Sequence, residues 1–460
     1  MPGSGEPSRH SLFAGALWIG GIDALGQLKV AAQTYRQTGN DFYPGPLDNN
    51  GQVNKDICKN FDNFWKVEAE EINLFLQAYE ISDGNISFSN IPESILGWPA
   101  RNNQFFVEFN DFALPADKDL APFWDENDDG EYNPLDGDYP VIDQTNEGVY
   151  ADQMIWWIFN DRGNAHSETG GEAIGLQISA LAFGFATNDE VNNMSFYKYV
   201  IENNSSSSLD SVFFSQWVDP DLGNFDDDYV GCDTLNDLGI VYNGDGFDDG
   251  LQGYGDNVPV LAVDFFKGPN DENGKQLGMN SFLYYDNNFT TTGNPETVTH
   301  FYGYMAGAWK DGSPFTFGGN GYGGSEPFDF IFPGDPSDPE GWSECTDNNP
   351  PADRRFLQTS GPFRLDPGVV NDVIVGVVWV RDGTWTPCSS FRSLLNADKK
   401  AQALFDSGFK QINGPDAPNM TIRELDKELV LTLWNSPSSN NDKEEYEEAE
   451  PVLRSVGIGD

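Results

Sequence analysis

Basic residues are scarce in this chain: 25 Lys and Arg stand against 74 Asp and Glu, a formal net charge of −49. Recognition of phosphates needs Lys and Arg, so this balance excludes nucleic acid as a partner and disfavours an anionic membrane surface. Histidine is almost missing, with only His10, His166 and His300. No HExxH, GxSxG or Walker pattern accompanies them, and no residue is assigned a catalytic role. His166 lies in a polar loop just ahead of a strand pattern and is expected to make a loop hydrogen bond. The four cysteines, Cys58, Cys232, Cys345 and Cys388, form no CxxC or CxxCH spacing, which argues against zinc ribbons and c-type haem. Either Cys345 pairs with Cys388, both in Pro/Asp-rich loops around one strand pair, or all four are separate buried thiols. Long apolar runs are lacking. Residues 12–21 are apolar but too short to span a bilayer, and the opening Met1-Pro-Gly-Ser-Gly-Glu-Pro has no basic stretch leading into an apolar one, so neither a transmembrane segment nor a signal peptide is predicted.

Aromatic residues are plentiful: 34 Phe, 17 Tyr and 12 Trp in 460 residues, room for two to four domains. Disordered acidic chains lack aromatics, so the composition describes a packed core under an acidic surface that repels itself unless cations screen it.

Strand patterns dominate. Residues 154–159 are a short aromatic run, and residues 174–185, 196–201 and 212–218 alternate apolar and polar. The polar stretch 203–208 predicts an antiparallel hairpin between the last two. Residues 363–365, a Pro367-Gly368 turn and residues 373–380 predict a second. Helical spacing places Ile72, Phe75, Leu76 and Tyr79 on one face over 66–79, and Leu394, Ala397, Ala401, Leu404 and Phe405 on one face over 391–409. After a linker at 413–418, residues 421–434 have the pattern of opening strands of a fibronectin-III-like module, followed by the acidic stretch 436–450. A sandwich needs about 100 residues, so that module is incomplete. The predicted fold is mainly β: an antiparallel β-sandwich-type body with long calcium-binding loops and a few helices, then the partial module. Its divisions are 1–145 (N-terminal segment with helix and calcium loop), 146–412 (β-rich main body) and 413–460.

One stretch carries chemistry by its spacing: Asp125-Glu-Asn127-Asp-Asp129-Gly130-Glu131-Tyr-Asn133-Pro-Leu-Asp136. Oxygen-bearing side chains fall at positions 1, 3, 5, 9 and 12, with Gly at 6 for the sharp turn, which lets a short loop wrap a hard cation. The predicted ligands to Ca2+ are Asp125, Asn127, Asp129, Glu131 and Asp136. Pro122, Pro134 and Pro140 disfavour the flanking helices of an EF-hand, so a dockerin- or thrombospondin-type loop on a non-helical scaffold is expected. The alternative is a solvated acidic turn. A second acidic region, 219–256, holds eleven Asp and no Lys or Arg. Phe225, Tyr229, Val230, Leu235, Leu238 and Val241 within it predict that it packs, which would force carboxylates together. Asp219, Asp221, Asp227, Asp228 and Asp233 are the predicted calcium ligands there, against the alternative of an extended, solvated loop.

Several stretches together support a resemblance. They are Leu12-Phe-Ala-Gly-Ala-Leu-Trp-Ile-Gly-Gly21, Ala31-Ala-Gln-Thr-Tyr-Arg36, the acidic loop through Gly137-Asp-Tyr-Pro140, Trp156-Trp-Ile-Phe-Asn-Asp161, Asn192-Asn-Met-Ser-Phe-Tyr-Lys-Tyr199, Trp217-Val-Asp-Pro-Asp-Leu-Gly-Asn224 and Asp227-Asp-Tyr-Val-Gly-Cys-Asp233. Over most of residues 10–435 the chain resembles large secreted proteins of Bacteroidota. Those carry an N-terminal signal peptide, fibronectin-like modules and a C-terminal type IX secretion sorting domain. The resemblance implies an extracellular or outer-surface location. The chain departs from it in lacking the signal and the sorting domain, and is expected to be clipped at both ends. The function expected is that of a calcium-stabilised structural or adhesive protein, an assembling surface or filament component whose partners are other copies of itself or cell-surface proteins. The alternatives are a carbohydrate-binding module or a glycoside hydrolase acting on extracellular polysaccharide.

Overall fold

The computed structural model describes residues 9–35, 37–116, 118–144, 148–381, 383, 386–410, 419–425 and 428–435. The chain is mainly β, as the alternation predicts. In chain order the strands are β1 (Ala14–Asp23), β2 (Leu28–Ala32), β3 (Tyr43–Pro44), β4 (Trp65–Glu68), β5 (Phe123–Trp124) and β6 (Tyr139–Pro140). There follow β7 (Gln153–Asn160), β8 (Leu176–Gly184), β9 (Met194–Asn203), β10 (Leu209–Asp219), β11 (Asp228–Asp233) and β12 (Leu238–Asn243). The last are β13 (Val260–Lys267), β14 (Ser281–Asp286), β15 (Arg354–Leu365), β16 (Val370–Val380), β17 (Asn419–Leu425) and β18 (Glu428–Trp434).

A five-stranded sheet, ordered β14-β15-β10-β1-β2, packs on a nine-stranded sheet, ordered β11-β12-β13-β16-β9-β8-β7-β3 with β4 also on β7. Between them lies one continuous core. Trp18 and Trp217 stack at 6.4 Å, the Phe301 ring meets Trp18 at 4.8 Å, and Ile178, Tyr199, Ile201 and Val375 contribute from the large sheet. This is sandwich logic, in which two inner faces supply alternate side chains. Strands from before and after residue 145 share both sheets.

The two predicted hairpins are not hairpins. β9 pairs with β8 and β16, while β10 pairs with β1 and β15. The chain therefore crosses between sheets after β9 and again after β15, and these two crossings lie side by side. Alternation reports which face of a strand is buried, and both strands of such an arch bury alternate residues in the same core, so the pattern is identical for arch and hairpin. Asn203, fully buried, ties the crossings together. Its Nδ2 donates to the Ser207 carbonyl at 3.0 Å and the Leu365 carbonyl at 3.2 Å, and its own carbonyl accepts from the Gly368 amide at 2.7 Å.

The predicted helices form at Ala69–Ile81 and Arg392–Asp406. The first starts later than predicted because residues 65–68 are taken into β4, and Glu68 and Glu71 close a capping box at its N-terminus. Trp65 lies beside Trp156 at 5.6 Å and Phe106 at 6.1 Å, an aromatic patch that seats residues 55–110 on the large sheet. No helix among the described residues is long and apolar enough to cross a membrane.

Residues 1–401 and 402–460 form two compact units. In the second, β17 and β18 make a two-stranded antiparallel ribbon in which Met420 faces Leu433 and Ile422 faces Leu431, all exposed. The predicted linker 413–418 and acidic stretch 436–450 lie outside the described residues.

Cys345 and Cys388 are joined by a disulfide, and Cys58 and Cys232 are free thiols. The bond closes 43 residues of chain, a loop for which chain entropy predicts a stabilisation of about 4 kcal/mol, with measured bridges more often at about 2–4 kcal/mol. Reduction at constant pH is therefore expected to lower the melting temperature by several degrees. A melt unchanged by reductant, with thiol titration confirming a broken bond, would contradict this.

Candidate functional site

The 125–136 loop hangs from a minimal ladder. β5 and β6 pair antiparallel, Trp124 opposite Tyr139. Inside it, side chains accept hydrogen bonds from the amides that follow them. Asp125 takes Asp129 N–H at 3.2 Å and Gly130 N–H at 2.7 Å, Asn127 Oδ1 takes Asp129 N–H at 3.0 Å, and Asp129 Oδ1 takes Glu131 N–H at 2.8 Å. Asn127 Nδ2 also donates to Asp129 Oδ2 at 3.0 Å. The loop thus winds around the oxygens of 125, 127 and 129, and Gly130 takes the left-handed φ of 78° that the winding needs. Asp136 is tied elsewhere, accepting from Asn133 Nδ2 at 2.6 Å, while its carbonyl accepts from the Tyr79 hydroxyl at 2.7 Å. Glu131 turns toward Asn102 at 3.5 Å.

Asp138 is a residue that sequence reasoning left unassigned, although it stands two positions beyond the loop. It is fully buried and staples the loop shut, with Oδ1 accepting from Glu126 N–H at 2.9 Å and Oδ2 from Asn133 N–H at 2.8 Å. Burial pushes its carboxyl up to about 7, and the carboxylates of Asp125 and Asp129 add to the push.

The 219–256 carboxylates divide into separate groups. Asp219 and Asp221 meet Asp353, whose position at the start of the distant β15 no local pattern could reveal; ligand-capable atoms of the three lie within 4.8 Å of one another. A side-chain cation is already among them. Arg355 Nε lies 3.2 Å from Asp219 Oδ1, though too oblique for a hydrogen bond, and Arg355 also pairs with Asp353. The Tyr35 hydroxyl donates to Asp219 and accepts from Arg355 Nε at 2.9 Å, and His10 Nε2 is 3.3 Å from Asp221. Burial outweighs Arg355 and pushes Asp219 up to about 6.

Asp227 and Asp228 belong to a second nest, with Asp248. Asp227 accepts from Asn224 Nδ2 and Asn243 Nδ2, both at 3.0 Å, and burial first, then Asp248 and Asp245, push it up to about 6. Asp228 Oδ2 accepts from Leu222 N–H at 3.0 Å and its buried Oδ1 has no hydrogen-bond partner. Asp248 caps Asn224 N–H at 2.9 Å and Tyr254 N–H at 2.7 Å. Asp233 stands apart from both groups. It caps the β11–β12 turn by accepting from the amides of Leu235 at 2.8 Å and Asn236 at 3.1 Å.

The same turn-capping recurs at Asp23, Asp48, Asp271, Asp311 and Asp335, each accepting amide hydrogen bonds from residues two to four ahead. Much of the acidity of the long loops is therefore spent on backbone amides, which sequence composition alone reads as cation sites. His166 makes the loop hydrogen bonds expected of it, to the carbonyls of Val30 and Asp161, both at 2.8 Å.

No known protein-family model matches the chain, and no curated protein matches it.

Proposed function

We propose that this chain is a calcium-stabilised structural or adhesive protein of the cell exterior, assembling with copies of itself or with other surface proteins. The observation that carries this reading is the winding of the 125–136 loop around the oxygens of Asp125, Asn127 and Asp129. That arrangement concentrates hard oxygen donors at an exposed site, and Arg101, the cation lining the same hollow, is paired with Asp119. A disulfide persists best in an oxidising compartment, in keeping with the reading. So does a net charge of −49, which makes copies repel until divalent ions neutralise them. The apolar face of the β17–β18 ribbon offers an assembly surface, since two strands alone are marginal in water.

Thermal melts and sedimentation of the full chain, first in EDTA and then across a calcium series, test this. Calcium at about 100 times its dissociation constant is expected to add about 2.7 kcal/mol of stability and to shift the chain toward larger species. Asp129→Ala should lose most of the gain in the melt while leaving the EDTA curve near that of the unaltered protein. Identical melts in EDTA and calcium would end the calcium reading. A chain that melts higher in calcium but stays monomeric would end the assembly reading alone.

A further inference from the structure

Strands β8 and β9 send alternate side chains away from the sandwich core. Leu176, Ile178 and Ala180 enter the core, so Gln177, Ser179 and Leu181 point outward. In register they lie opposite Glu202, Val200 and Lys198 of β9. These six form the floor of a cleft of about 320 Å3, walled by Leu120 and Asp143 from the two limbs of chain that bracket the β5–β6 ladder. That is a volume in the range of small-ligand sites.

The floor has spare hydrogen-bonding capacity. Among the described residues, Lys198 Nζ contacts Asp143 alone, Glu202 accepts from Gln177 Nε2 at 3.2 Å through one oxygen only, and the Ser179 hydroxyl is uncommitted. Two ammonium donors, a carboxylate oxygen and a hydroxyl thus remain, with the aliphatic Val200 and Leu181 set among them. A second hollow of about 520 Å3 adjoins the cleft, with Asp119 and Gln144 lining both, and there the half-buried Trp124 supplies an aromatic surface.

We propose that this groove binds a neutral oligosaccharide. A sugar chain has hydroxyls around its ring edges and C–H groups on its faces, and the floor offers donors, acceptors and aliphatic surface at the same scale. An aromatic side chain further along suits stacking on a second ring. Across the two hollows Asp119, Asp125, Asp129, Glu131, Asp143 and Glu202 outnumber Lys198 and Arg101, which already pair with Asp143 and Asp119, so the groove repels anionic ligands, which removes phosphates, uronates and acidic peptides. No floor residue of the first hollow belongs to the acidic loops, whereas Asp125, Asp129 and Glu131 of the 125–136 loop line the second, so calcium bears on the Trp124 end of the groove alone.

A screen of the full chain against neutral linear glucan, xylan and mannan oligosaccharides, followed by calorimetric titration of any binder in both EDTA and calcium, tests it. Saturable binding of a neutral oligosaccharide is the expected result. Ser179→Tyr, which fills the groove, should weaken it by at least about tenfold. Glu202→Gln, which keeps the shape but removes the charged acceptor, should weaken it severalfold, and carries the test alone if Ser179→Tyr does not fold. Absence of binding to every neutral sugar, preference for anionic sugars or peptides, or binding undiminished in folded variants would overturn the proposal.

Discussion

His166→Gln is expected to cost about 3–5 kcal/mol of stability. Both ring nitrogens lie 2.8 Å from backbone carbonyl oxygens, of Val30 and Asp161. A carbonyl oxygen only accepts, so each nitrogen must donate, and the ring is held as the imidazolium. Its charge sits between two buried carboxylates, Asp41 at 3.6 Å and Asp161 at 3.7 Å. Those carboxylates do local work as well. Asp41 accepts from the amides of Ala32, Glu168 and Thr169, and Asp161 from those of Ile174, Gly175 and Leu176. Removing the imidazolium leaves two uncompensated negative charges where β2 of the small sheet meets the ends of β7 and β8 of the large one. Denaturant melts of the variant measure the loss, and a change below about 1 kcal/mol would show that the amides alone hold both carboxylates. The Asp161→Asn variant, and the double variant with His166→Gln, would separate the ion-pair contribution from the amide bonds.

Asp264→Asn is expected to stabilise the protein at alkaline pH and leave it nearly unchanged near pH 4. Asp264 in β13 and Asp398 in the Arg392–Asp406 helix are both buried and hydrogen-bond to each other, so one carboxyl must keep a proton. Burial, first, and then Asp398 push Asp264 well up; burial, with Asp233 nearby, pushes Asp398 up to about 6. Asp237 also faces Asp264, and Lys399 partly offsets the charge at Asp398. A carboxyl whose folded value is raised contributes stability that is full below its unfolded value near 4 and is lost as pH rises through the folded value. For this pair the loss runs from about pH 4 through pH 6 and above, on the order of 3 kcal/mol for a shift of the size seen at Asp398. An amide at 264 keeps the donated hydrogen bond without a proton to lose. Melting temperatures of both proteins from pH 4 to 9 in one buffer series check this. Other raised carboxyls, including Asp138 and Asp228, titrate in both proteins, so the difference between the curves is the readout. Parallel curves would contradict the shared proton.

Local pattern was enough for local structure. Helices at Ala69–Ile81 and Arg392–Asp406, the strands over 153–160 and 176–184, and the turn at Pro367-Gly368 all follow from the spacing of apolar residues and from turn chemistry. Of the candidate ligands, Asp125, Asn127 and Asp129 are close in sequence and also close in space, because a six-residue winding is held by its own amides, one glycine and the nearby Asp138. The second acidic region defeated the same reasoning. Its Asp residues are close in sequence yet divide among an arginine cluster, an asparagine-capped nest and a hairpin turn.

The sequence by itself determined the class: a mainly β chain with an aromatic core, a strongly acidic surface and few histidines or cysteines with which to do chemistry. Only the tertiary structure decided that β9 and β10, adjacent in the chain, lie in opposite sheets, and that Asp353 joins Asp219 and Asp221 across more than a hundred residues. It also decided that the buried carboxyls of Asp264 and Asp398 face each other. The physical reason is common to all three. A period-two pattern and a turn signal specify which face is buried and where the chain reverses. Which strand or carboxylate becomes the neighbour depends on how two whole sheets close on one core, and that choice is made by packing between residues far apart in the chain.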